Sequence, residues 1–195
     1  MVNAIAIILA AGESSRMGQP KWRLPFNARH CFLEALISVY LKAGISRIVV
    51  VMNPGHLDEF AFHAAAGECV LIGNNNPGAG RIRSVELGIS AMDDGTHAFL
   101  QNVDNPFTTA DLIDQMWHLR DTADYVVPVF QKKRGHPLLL GPAVLNMLRT
   151  GHADCDFKEL LHGFPSAELH CSDRHILVNI NTPETYNSFF PLALK

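Results

Sequence analysis

Leu9-Ala10-Ala11-Gly12-Glu13-Ser14-Ser15-Arg16-Met17-Gly18-Gln19-Pro20-Lys21 is the stretch on which the reading of this chain turns. It continues Ala4-Ile5-Ala6-Ile7-Ile8-Leu9, an unbroken apolar run of strand length, as expected of a central parallel strand covered on both faces. In an open α/β sheet, ligands sit beyond the carboxyl ends of the strands, so the loop after this strand is the first place to expect a site. Ala10, Ala11 and Gly12 are small enough for backbone N–H groups to approach a phosphate closely. Ser14 and Ser15 add hydroxyl donors. Arg16 and Lys21 are two cations able to reach different phosphates of one triphosphate, Arg bidentately and Lys as a point charge. A solvated basic loop would also carry an Arg and a Lys. The small residues, the hydroxyls and the buried strand before them argue for phosphate instead. Neither the GxxxxGK[ST] loop nor the GxGxxG dinucleotide fingerprint is present.

Outward from this loop the chain alternates. Phe32 to Ala43 has helical apolar spacing and stops at Gly44, and Arg47–Met52 reads as a second buried strand. His56–Ala66 reads as a helix, Glu68–Ile72 as a strand, and Arg83–Met92 as a helix after the Asn/Gly-rich stretch Gly73–Gly80. Ala98–Val103 is a strand ending at Asp104. Thr108-Thr109-Ala110-Asp111 is a capping signature for a helix running to about Arg120, and Tyr125–Phe130 is a further strand. Beyond Gly135 the expectation is a short strand at Pro137–Leu140, short helices at Ala143–Leu148 and Asp156–Leu161, a strand at Ile176–Ile180, and a closing helix at Pro183–Phe190. Strands alternating with helices predict an α/β fold with a doubly wound, mainly parallel sheet. With no linker-like break and no repeat, residues 1–195 read as a single domain.

Composition sets outer bounds. The 195 residues are 48% hydrophobic and 18% charged, enough apolar material for a full core. A net charge of -3 gives no general attraction to nucleic acid or anionic lipid, so neither is expected as a partner. The 10 histidines are scattered, without HExxH or zinc-type Cys–His spacing. Cys31, Cys69, Cys155 and Cys171 form no CxxC pair and read as small buried side chains. There is no signal-peptide pattern and no apolar stretch long enough to span a bilayer, so a soluble cytoplasmic protein is expected.

Four further segments carry chemistry. Asp104 closes a buried strand in Val103-Asp104-Asn105-Pro106, where a carboxylate can hold Mg²⁺ or simply cap a turn. Gly80-Arg81-Ile82-Arg83-Ser84-Val85 opens a helix whose free N–H groups suit a polar ligand, although a Ser such as Ser84, taken alone, is more often a simple cap. Lys132-Lys133-Arg134-Gly135-His136-Pro137 is a basic run that would attract an anionic acceptor, or a solvated hairpin. Asn179-Ile180-Asn181-Thr182-Pro183-Glu184 precedes the closing helix, so Asn181 could belong to its N-terminal cap.

LAAGESSRMGQPKWRLP resembles the signature of the MobA-like nucleotidyltransferases, which activate cofactors and sugars. Within them it is most similar to the molybdenum cofactor cytidylyltransferase and guanylyltransferase group. The pattern LAAGxSxRMGxxKxLLP is met at nearly every position, with Arg23 where that family often has Leu. VDNP resembles its VDxP or GDxP metal motif, and GRIRSV its GxxxSVxxG nucleobase segment. NINTPE resembles its closing D-[IV]-D-T-P-E-D, with Asn at both acidic positions.

The resemblance implies transfer of a nucleoside monophosphate from a triphosphate to a phosphorylated acceptor, with release of pyrophosphate. Arg16 and Lys21 would be catalytic. Leu9, Ala10, Ala11, Gly12, Ser14, Ser15, Gly80, Ser84 and, from its strand-end position, Asn102 would bind nucleotide. Asp104 and Asn181 would hold Mg²⁺, and Gly135, His136 and Pro137 would meet the acceptor. Ala11, where the guanylyltransferase branch usually has Gly, favours CTP. A molybdopterin-type acceptor and a molybdoenzyme client follow from the likeness. A sugar or polyol phosphate acceptor, or an accessory protein that binds nucleotide without turnover, are the alternatives it leaves.

Overall fold

The computed structural model describes residues 4–91, 97–150 and 156–191. Strands β1 (Ala4–Ala10), β2 (Arg47–Met52), β3 (Val70–Gly73), β4 (His97–Asn102), β5 (Tyr125–Phe130), β6 (Lys133–Arg134), β7 (Leu138–Leu140) and β8 (Ser166–His170) form one sheet. Its order is β3–β2–β1–β4–β7–β5, with β6 paired to β5 as a two-residue hairpin and β8 parallel to β5. β1, β2, β3 and β4 are mutually parallel, while β7 runs antiparallel between β4 and β5. This is the doubly wound, mainly parallel sheet of nucleotide-diphospho-sugar transferase-like folds.

The period of β1 explains the layering. Ala4, Ala6, Ile8 and Ala10 face one core and Ile5, Ile7 and Leu9 the other. Successive strand residues point to opposite faces, so a strand buried throughout needs a helical layer on each side. On the first face lie α1 (Phe32–Lys42), α4 (Ala110–His118) and α7 (Pro183–Phe189). On the second lie α3 (Arg81–Ser90), α5 (Pro142–Arg149) and α6 (Phe157–Leu161). A Cβ at Gly88 would stand 2.4 Å from Ile7, so α3 sits on β1 as closely as it does because residue 88 has no side chain.

Several terminators act as the sequence predicts. Gly44, at φ 79°, ends α1 with its N–H on Leu41 O while Ile45 N–H reaches Tyr40 O, a Schellman closure. Thr109 caps α4 through Leu112 N–H; Asp156, read from sequence as the first residue of its helix, is instead the N-cap of α6. The predicted helix end at Met92, and Cys155, lie outside the described residues.

Two expectations need correction, and one strand was not foreseen. His56–Ala66 is not one helix: a 3-10 turn (Pro54–His56) leads into α2 (Leu57–Ala61), and a second 3-10 turn covers Ala64–Glu68. The break falls at His63, whose backbone is extended and whose ring turns inward to Glu34 and Trp22. Ile176–Ile180 is not a sheet strand. Arg174–Leu177 forms a 3-10 turn capped by Asp173, and the carbonyls of Ile176 and Val178 accept from the Asn105 side chain instead of a strand neighbour. The strand on that side is β8, a half-exposed segment without a β-branched residue or an apolar run to announce it. Among the described residues no helix is long and apolar enough to cross a membrane.

Candidate active site

The loop after β1 is shaped by Ser14, which adopts φ 55° and turns its carbonyl to the N–H groups of Met17 and Gly18. Its hydroxyl accepts from the N–H of Lys21, so the loop folds back and delivers Lys21 to the strand ends. Lys21 opens a 3-10 turn (Lys21–Arg23) anchored by the buried Trp22, whose ring packs edge-on against Phe60 and His63. Beyond it, Pro25 O accepts from Tyr186 Oη at 2.8 Å, and Phe26 packs among Phe32, Phe107 and Phe190. These aromatic contacts hold α7 against the loop although it lies about 160 residues further along the chain, in line with the 161-residue separation of that bond.

The consequence is a three-residue cluster. Lys21 Nζ donates to Asp104 Oδ2 at 3.2 Å and to Asn181 Oδ1 at 2.5 Å. Asp104 and Asn181 are brought together by the backbone, since Ile180 N–H donates to Asp104 O at 2.7 Å. Asn105 completes the tie: its amide group donates to the carbonyls of His175, Ile176 and Val178, so the loop after β4 grips the turn before Asn181. Thr182, not Asn181, caps α7, which leaves the Asn181 side chain to the cluster.

Asp104 Oδ1 is buried and meets no donor. An unpaired buried carboxylate oxygen is costly, and a hard divalent cation is one partner that would satisfy it. One carboxylate and one amide oxygen fit such an ion when phosphate oxygens and water complete its shell.

Lys21 and Asp104 border a cavity of about 330 Å³, with Asn102 beside them and Leu9, Ala10, Ala11, Gly12 and Ser14 on the other side; Asn181 does not line it and reaches the cluster through Lys21. Gly80 and Ser84 complete its far wall. Gly80, at φ 86°, is the N-cap of α3 and supplies no side-chain cap, so the first N–H groups of that helix remain open to a ligand. Ser84 is buried and held by Asn74 Nδ2 at 2.9 Å. Ser15 and Arg16 are exposed and do not border the cavity.

A second cavity, of about 430 Å³, lies beside the first and is bordered by Gly135, His136, Arg134, Phe157 and Lys158. Arg81 borders both, with its guanidinium 5.1 Å from the centroid of the Phe157 ring. Asn102 Nδ2 donates to His136 Nε2 at 3.2 Å, joining the two floors and placing the imidazole proton on Nδ1. Burial, then the nearby Arg81 charge, push the His136 pKa down to about 4, so the ring is neutral.

Gly135 has its own reason to be glycine: a Cβ there would stand 2.6 Å from Ile176 O. Pro137 is buried and does not border the second cavity. Lys132 and Lys133 sit exposed at a hairpin whose Gln131 and Lys132 take positive φ, and Arg134 is engaged by Glu168, Tyr125 and Ser166. Arg81, Asn105 and Trp22 were not singled out as site residues by sequence, although Arg81 lies within the quoted GRIRSV segment.

The loop at the end of β1, the acid–amide–lysine cluster and the two adjoining cavities thus lie together at the carboxyl ends of the parallel strands. The profile of the MobA-like NTP transferase domain matches residues 6–170, and the chain belongs to that family. Two relatives are 28% identical to it. The molybdenum cofactor cytidylyltransferase of Escherichia coli (strain K12) aligns over 181 residues, 92% of each chain. The molybdenum cofactor guanylyltransferase of Xanthomonas euvesicatoria pv. vesicatoria (strain 85-10) aligns over 187 residues, 93% of this chain and 91% of its own. The fold is shared with Rv0371c of Mycobacterium tuberculosis H37Rv, at TM-score 0.82 and 20% identity over 97% of this chain and 98% of that one. Rv0371c has also been solved in complex with manganese.

Proposed function

We propose that this protein transfers a cytidylyl group from CTP to a phosphorylated acceptor of the molybdopterin type, releasing pyrophosphate. The observation that carries the reading is the meeting of Lys21 and Asp104 at the floor of a cavity walled by the β1 loop and the N-terminus of α3, with Asn181 joined to them through Lys21. The triphosphate would lie against the N–H groups of Ala11 and Gly12 and the open end of α3. Lys21 would exchange its protein partners for phosphate oxygens and stabilise charge on the pyrophosphate as it leaves. Arg16, which shows no ion pair among the described residues, would cover the outer phosphates from the loop's rim.

The acceptor would occupy the second cavity, with its phosphate near Arg81 and Lys158, poised for in-line attack on the α-phosphorus. Positioning does most of this work, because an acceptor phosphate is already ionised and needs no protein base. His136, held neutral, would orient Asn102 toward the nucleotide. Mg²⁺, held by Asp104 and Asn181, would supply charge neutralisation on the triphosphate.

CTP over GTP rests on Ala11, because the two relatives of opposite base preference are equally identical to this chain. Turnover with CTP and GTP, each with a molybdopterin acceptor and Mg²⁺, tests the proposal through pyrophosphate release. Release with CTP well above GTP is expected. Turnover only with a sugar or polyol phosphate would move the acceptor elsewhere. The Asn residues of the closing motif favour one other reading, nucleotide binding without turnover, which CTP binding with no pyrophosphate release would establish.

A further inference from the structure

Beneath Trp22, and away from the two cavities, Cys31, Glu34 and His63 bring one donor atom each to within 4.8 Å of one another. They come from two distant places: Cys31 and Glu34 from the first turn of α1, and His63 from the break after α2. Cys31 is buried, and the Glu34 and His63 side chains are 16% and 32% exposed, so the cluster is shielded yet reachable from solvent on the histidine side.

Helix capping and an ion pair account for part of this arrangement. Glu34 accepts from the Cys31 N–H at 2.8 Å and faces His63 Nδ1 at 2.9 Å. The Cys31 sulfur completes a capping box with Glu34, at a position where an oxygen of Ser, Thr, Asp or Asn serves better. The Glu34 contact and the packing against Trp22 and Phe60 turn the His63 ring inward, which brings its Nδ1 to the cysteine and the carboxylate.

We infer that Cys31, Glu34 and His63 form a site for a borderline-soft divalent cation of the zinc class. A thiolate, an imidazole and a carboxylate are a donor set that selects such an ion over Mg²⁺, and three protein ligands leave one position for water. Donors around a tetrahedral zinc lie ~3.5 Å apart. Glu34 and His63 are already closer than that, and closing the remaining gap needs a small movement of the partly exposed His63. Burial pushes the Cys31 thiol up to about 12, so binding replaces a proton: the sulfur–hydrogen bond breaks, the sulfur–metal bond forms, and one proton passes to water. His63 binds through Nδ1, so the hydrogen it directs at Glu34 leaves: in the neutral ring it moves to Nε2, and in the charged ring, where Nε2 already holds one, it passes to water as a second proton. The ion would tie α1 to the segment after α2 directly behind Trp22, the neighbour of Lys21.

Cobalt(II) titration of the chelator-stripped full-length chain tests this, because only a thiolate ligand gives a sulfur-to-cobalt charge-transfer band in the near ultraviolet. Cobalt at Asp104 and Asn181 would have oxygen ligands alone and give none. One equivalent with such a band is expected. Cys31→Ser, which supplies a better N-cap, should abolish it, and His63→Gln should weaken zinc binding, measured against a competing chelator dye, by at least about tenfold. Absence of the band, its survival in Cys31→Ser, or unchanged zinc affinity in His63→Gln would overturn the assignment. The last measurement stands even if Cys31→Ser does not fold.

Discussion

Lys21 Nζ lies 3.2 Å from Asp104 Oδ2, a contact that spans 83 residues of sequence. The ammonium is shared between the Asp104 carboxylate and the Asn181 amide oxygen, and in the proposed reaction it would turn to phosphate oxygens. Lys21→Ala should therefore lower the rate of pyrophosphate release by about 10²–10³-fold, the cost of losing one charge-stabilising donor. The fold should persist, which circular dichroism checks. A rate within threefold of the parent would remove Lys21 from the chemistry.

Asn181 supplies an amide oxygen where a carboxylate would bind a hard cation more strongly. Asn181→Asp should lower the Mg²⁺ or Mn²⁺ concentration needed for half-maximal turnover, by on the order of tenfold. Asn181→Ala should raise it. If both variants require the same metal concentration as the parent, Asn181 is no ligand.

Asn105 acts at one remove, as a positioning residue. Its amide group donates to the carbonyls of His175, Ile176 and Val178, and with the Ile180 N–H bond to Asp104 it fixes where Asn181 stands. Asn105→Ala takes the donor from Val178 O, while His175 O keeps the Val178 N–H and Ile176 O the His136 N–H, and should destabilise the protein by ~1–3 kcal/mol in urea unfolding. It should also raise the metal requirement, while Asn181→Asp in the same background recovers part of the loss. A purely structural role would move the unfolding midpoint and leave the metal requirement alone.

His136 makes stability depend on pH in a definite sense. Its pKa is held near about 4, against an ordinary 6.5, by burial and by Arg81. Between these values the unfolded chain binds a proton that the folded one refuses, so stability falls as pH drops from about 6.5 to about 4. Below that window both states are protonated and this contribution no longer changes. His136→Gln should flatten that part of the profile in denaturant titrations across the window. An unchanged slope would mean that His136 titrates normally.

Much of this was legible from residue order because the relevant signals are local. The apolar run of β1, the small residues after it and the Gly44 closure of α1 each depend on near neighbours in sequence. So does the helix-opening Gly80, whose positive φ suits glycine. What was not legible depends on distant partners. His63 is extended because Glu34 and Trp22 draw its ring inward, and no window of sequence around it contains them. The 174–180 segment has strand-like apolar residues, but Asn105 captures its carbonyls from across the molecule. Arg81 is polar and exposed, like any surface arginine. Its significance comes only from the meeting of two cavities at its side chain.

The Ile180–Asp104 bond has a consequence for how the site comes into being. Translation proceeds from the phosphate loop toward the closing segment, and domains begin to fold as they emerge. A nascent chain that has delivered β1 through β5 already carries the loop, Lys21 and Asp104. It has no Asn181, and nothing yet grips the turn that presents it. The cradle is thus completed only once residues 174–181 have been made, and a shorter ribosome-bound fragment can hold the β1–β4 half of the sheet without a finished place for its substrate.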